Sequence, residues 1–134
     1  MKTLQVAFEY LVVFGVVLLF AVPVWIYVSD LQRQTSNDLY VSYAKTAAEK
    51  IASASDLIYS QGQGARIKIK VYIPKNVVNV SIQGHEVIFN LSYETGFTDI
   101  FAKSIAPLNG SLPKEEGNYW VKLESKGEYV EIWV

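Results

Sequence analysis

The sequence predicts an α+β chain: a long N-terminal hydrophobic helix, a membrane span continuing as an amphipathic helix, packed on a small antiparallel β-sheet domain. Three observations carry this. No charge interrupts the 19 residues from Tyr10 to Val28. Apolar residues then recur at helical spacing as far as Ile58. Beyond Gly64 the apolar period falls to two, the spacing of strands buried on one face.

About 20 apolar residues wound as a helix cross the hydrocarbon core of a bilayer, so Tyr10 to Val28 is long enough to span it. Trp25 and Tyr27 suit the outer interface, and Lys2 with the initiator amine precedes the span. Basic flanks tend to stay in the cytoplasm, which predicts a single pass with the N-terminus inside. A removable secretory signal needs a shorter apolar region followed by an Ala-x-Ala-like site, and none follows Val28. Pro23 removes one backbone hydrogen bond within the run and is expected to kink or loosen the helix there.

Tyr40, Ala44, Ala47, Ile51, Ala54 and Ile58 alternate spacings of four and three, forming one continuous helical face. Lys45, Glu49, Lys50, Ser53 and Asp56 fall on the other faces. Gln61-Gly62-Gln63-Gly64 supplies the stop, because glycine takes left-handed terminal geometry cheaply. A helix from about Gln5 to about Ser60 is roughly 80 Å long at 1.5 Å per residue. Its outer half therefore needs a partner other than lipid, either the chain's own β-domain or neighbouring helices.

The expected strands carry Ile67, Ile69, Val71 and Ile73; then Val78, Val80 and Ile82; then Val87, Phe89, Leu91 and Tyr93 on their inward faces. Gln83-Gly84 makes a hairpin turn between the second and third. Phe97 to Leu108 is ambiguous. Tyr119 to Ser125 and Glu128 to Val134 form a last hairpin around Lys126-Gly127, with Val121 and Leu123 facing Val130 and Ile132. Trp120 and Trp133 fall on its polar side, where they either pair across the strands or meet a neighbour or ligand.

Chemistry is sparsely provided. With no cysteine and a single histidine, His85, the chain has no thiolate and no imidazole cluster, so no metal site is expected. His85 beside Gly84 reads as a solvated turn residue. Glu115, Glu116, Glu124 and Glu131 read as solvated carboxylates, and no nucleophile with a base or phosphate-cradling motif accompanies them. Net charge is −1 with both signs interspersed, which gives no footprint for nucleic acid. The expectation is no enzyme and no cofactor. N-x-S sequons begin at Asn79, Asn90 and Asn109, the first two on polar strand faces and the third in a loop; all are candidate glycosylation positions outside the cytoplasm.

Glu9 is costly at the edge of lipid and calls for a partner or for the headgroup region. The run Gln5-Val6-Ala7-Phe8-Glu9-Tyr10-Leu11 resembles the class III signal peptide of archaeal type IV pilins, in which a short leader is cut just before Gln and Glu stands fifth in the mature chain. Many members carry Gly after a basic residue at the cut, whereas this chain has Thr3-Leu4 after Lys2. The resemblance implies a leader of residues 1–4, cleavage between Leu4 and Gln5 by a prepilin peptidase, and retention of the helix of residues 5–62. It also implies an extracytoplasmic β-rich domain, residues 65–134, displayed on a surface filament.

The same resemblance implies as partners membrane lipid before assembly, copies of the chain or related pilins, and an assembly ATPase with its membrane platform. The new Gln5 amine would meet Glu9, either of a neighbour or of its own helix, four residues away. Archaellin-type motility subunits are longer outside the helix, which ranks adhesion higher. The alternative is a membrane-anchored surface binding protein that does not polymerise.

Overall fold

The computed structural model describes all 134 residues. One helix, α1, runs from Lys2 to Gln61, and seven strands follow: β1 (Arg66–Ile73), β2 (Val77–Gln83), β3 (Glu86–Tyr93), β4 (Gly96–Lys103), β5 (Leu108–Gly110), β6 (Gly117–Ser125) and β7 (Val130–Trp133). The chain is α+β, as its periodicities predict. Two compact units divide within α1, Met1–Ser36 and Asn37–Val134.

The first unit is helix alone. It holds the apolar run from Tyr10 to Val28, long and apolar enough to cross a membrane, with none of its large side chains buried. The helix continues through Pro23 without a break.

In the second unit the helical stretch presents Ala44, Ala47, Ala48, Ile51, Ala52, Ala54, Ser55 and Ile58 as a buried face. The alanines keep that face shallow, and Ile51 and Ile58 fill the space that remains. The expected stripe thus meets its own β-domain. The helix stops at the predicted glycines: Gly62 takes φ of +94° and Gly64 of +89°. The Gly64 amide then donates to the Ser125 carbonyl at 2.8 Å, which launches β1 beside β6.

Two sheets share the core with the helix. One has the order β1-β6-β7-β5, the other β2-β3-β4. Val71 and Ile73 of β1, Val121 and Leu123 of β6, and Val130 and Ile132 of β7 line the first; Val87, Phe89 and Leu91 of β3 with Ile100 and Ala102 of β4 line the second. All join the helical alanines in one apolar cluster.

Several details depart from the sequence reading. A single small antiparallel sheet was expected, whereas there are two, and β5 runs parallel to β7. The ambiguous stretch from Phe97 resolves into β4 and β5, so Asn109 lies in a short strand and not in a loop. Val78 was expected to face inward; a register shift between Val77 and Asn79 turns it out to 45% exposure and lets Val77 pack on the core instead.

Two local contacts secure this arrangement. The Asp56 carboxylate accepts hydrogen bonds from the Ser104 hydroxyl and, at 2.8 Å, from the Ile105 amide, tying the helix to the β4–β5 connection. Bonds to a charged group contribute about 1.5–3 kcal/mol. Asp56→Ala should therefore cost on that order in urea denaturation, with Asp56→Asn losing less.

Gly110, opposite Ile132 in the parallel pair, has φ of +143°. A Cβ there would overlap the Ile132 carbonyl oxygen and lie 2.8 Å from its carbon. Gly110→Ala keeps the Asn109 sequon intact, so its expected cost of about 2–3 kcal/mol, read from the shift in urea midpoint, would reflect backbone strain and separation of β5 from β7.

Candidate functional site

At the N-terminus, residues 2–4 continue the helix, so the Leu4–Gln5 bond lies within the first turn, and the Gln5 amide donates to the Met1 carbonyl at 3.3 Å. Gln5 and Glu9 stand one turn apart, both exposed. A helical peptide bond is closed to a protease that binds extended chain, but a first turn held by so few hydrogen bonds opens at little cost. Tyr10, at 72% exposure, begins the uncharged run that ends at Val28, and the run is exposed throughout.

The outer face of the four-stranded sheet is basic and aromatic. Cross-strand pairing places Lys68 opposite Lys122, Lys70 opposite Trp120, and Trp133 on the other side of Lys122. The two tryptophans are therefore not paired with each other. Instead the Lys68 ammonium sits 5.1 Å from the Trp120 ring centroid, a cation–π contact that offsets part of the like-charge repulsion. Arg66, Lys68 and Lys70 look like an ordinary polar strand face when read alone. Only the β1–β6 pairing, across half a hundred residues of sequence, adds Lys122 and the tryptophans.

At the end of this face Glu124 receives Arg66 at 3.1 Å and Lys126 at 3.3 Å, and Lys126 also reaches Glu131 at 3.4 Å. Partial burial works to raise the Glu124 carboxyl, but the hydrogen bonds from Lys126 and Arg66 outweigh it and hold its pKa below the usual range. The Lys126 ammonium is pushed up, chiefly by its hydrogen bond to Glu124. These carboxylates are engaged in surface ion pairs. Glu116 likewise meets Lys75 at 3.9 Å and the Tyr72 hydroxyl at 3.1 Å. No three His, Asp or Glu side chains converge as metal ligands, and His85 is exposed in its turn.

The sequons differ in setting. Asn79 and Asn109 are exposed on strands. Asn90 is half-buried on the central strand, directly opposite Asn79, and its amide nitrogen donates to the Asp99 carboxylate at 2.5 Å. Its side chain is thus already committed within the sheet.

Comparisons with protein-family models, curated proteins and solved structures gave no match to this chain.

Proposed function

We propose that this chain is a structural subunit of an archaeal type IV pilus-like surface filament, adhesive in use. What supports the reading above all is one helix that serves two purposes. Its unburied apolar run suits lipid before assembly and bundled helices after it, and its continuation holds the core of the β-domain. Contact between identical chains that does not close on itself generates a fibre.

On this reading a prepilin peptidase removes Met1 to Leu4 at the cytoplasmic face, leaving the Gln5 amine, and the β-domain stands outside. An assembly ATPase and membrane platform supply the work of extraction. In the filament Glu9 of one subunit accepts the Gln5 amine of a neighbour. Removing one partner from a pair in low dielectric costs about 3–5 kcal/mol. Glu9→Ala should therefore lower incorporation into sheared filaments by more than about tenfold, while leader removal continues; normal incorporation would exclude the interchain pair.

The deciding experiment is intact mass and N-terminal sequencing of the chain from shed surface material and from membranes. Gln5 as the first residue in shed fibres would support the subunit. An intact Met1 confined to membranes would instead make the chain a permanent anchor for a surface binding domain. Excess mass assigned to Asn79 or Asn109, with none at Asn90, is the glycan pattern the three settings favour.

A further inference from the structure

Strand β4 is the free edge of the β2-β3-β4 sheet, and it carries exposed aromatic side chains: Phe97 is 71% and Phe101 60% exposed. Natural sheets usually blunt such an edge with charge, a bulge or a covering segment. Here the charges are arranged differently.

The direction of the backbone groups follows from two hydrogen bonds. The Ser104 amide turns back to the His85 carbonyl at 2.7 Å, and the Ser92 amide turns away from β4 to the Asn76 carbonyl at 2.8 Å. In an antiparallel ladder these directions alternate. Even-numbered residues of β4 therefore bond to β3, whereas Phe97, Asp99, Phe101 and Lys103 aim their N–H and C=O groups outward. The same four residues place their side chains on the sheet's outer face, as their exposure shows.

We infer that this edge pairs with the β4 edge of a second copy of the chain, antiparallel and about a two-fold axis at Phe101. That register sets Phe101 opposite its counterpart as a hydrogen-bonded pair. Asp99 of each copy then stands opposite Lys103 of the other, and each Phe97 approaches the other copy's Ile105, which is 77% exposed. Both charges are already oriented in the single chain, Asp99 by Asn90 and Lys103 by Glu86 at 3.3 Å.

Other registers are poorer. Centring on Asp99 or on Lys103 opposes like charges, centring on Ile100 sets each charge against a phenylalanine, and centring on Ala102 sets Lys103 against Phe101 and Asp99 against Ile105. The edge therefore excludes a slipped copy while accepting an aligned one. A five-residue pairing is small and its affinity modest, so it matters where copies are held close together, as in a membrane or among adjacent filaments. It requires neither leader cleavage nor polymerisation, and its failure would leave the filament reading untouched.

The test uses the full chain in detergent, which has no native cysteine, and oxidative disulfide trapping. Hydrogen-bonded cross-strand pairs have Cα atoms about 5.5 Å apart, within disulfide reach. Phe101→Cys should give covalent dimer. Asp99→Cys and Lys103→Cys should each give little alone and should cross-link when mixed. Asp99→Lys in the Phe101→Cys background should reduce trapping about fivefold or more, as two like-charge oppositions replace two attractions, and adding Lys103→Asp should restore it. Equal trapping at all three positions, or none at Phe101→Cys, would overturn the pairing; so would Asp99→Lys without effect in a chain that melts normally.

Discussion

A fragment beginning at Ala65 is expected to show no cooperative unfolding, whereas one beginning at Asn37 should fold. The reason is the division of the core. Ile51 and Ile58 are essentially inaccessible to solvent, as are Ala44 and Ala48, and they share one apolar cluster with the inward residues of both sheets. Burying an Ile side chain contributes about 1.5–3 kcal/mol and each alanine methyl about 0.8. Those terms, with the sheet surface left bare in the helix's absence, compare with a net stability of about 5–15 kcal/mol for a whole domain. Circular dichroism melts of the two fragments check this. Cooperative melting of the shorter one would mean that the sheets form a core by themselves.

The same division explains what the sequence made legible. Period and composition carried the long helix, its stop at Gly62, the inward set of β1 and β3, and the alanine stripe, because each depends on neighbours within one element. The hairpins were readable where turn chemistry is local: Gly84, at φ of +57°, opens the two-residue turn to His85. Pairing across long stretches left no local trace. Nothing in Arg66 to Ile73 announces β6 as its partner, so the Lys68, Lys122 and Trp120 face was invisible, as was the parallel β5–β7 contact. The Val78 bulge was missed because a valine run alternates equally well in either phase. The stretch from Phe97 stayed ambiguous for a related reason, since exposed aromatic residues on an edge strand, such as Phe97 and Phe101, have the pattern of a strand whose core face is the opposite one.

At the N-terminus legibility had another source. Gln5, Glu9 and the uncharged run carry a resemblance whose implied physical content, a carboxylate one turn from an amine that leader removal would create, depends on chemistry outside the fold. The fold provides the setting in which that chemistry is possible: an exposed first turn, an apolar surface with nothing packed on it, and a continuous helix. Filament growth as proposed above would turn on partners outside the chain, which the folded domain alone does not supply.

The three-stranded sheet offers a sharper division, because its two faces each carry phenylalanine with opposite consequences. Phe89 on the central strand is fully buried, while Phe101 directly across the neighbouring register position is 60% exposed. Phe89→Ala removes the largest fully buried side chain from the apolar cluster that the helix and both sheets share. It should destabilise the second unit by about 3–5 kcal/mol, lowering its melting temperature by about 15 °C or more. Phe101→Ala should stay within about 0.5 kcal/mol of the parent yet weaken edge pairing, read as loss of mixed Asp99→Cys and Lys103→Cys cross-links. If Phe101→Ala instead destabilised the single chain as much as Phe89→Ala, the outer face would be part of the core, and Phe101 would not be available to meet its counterpart in a second copy.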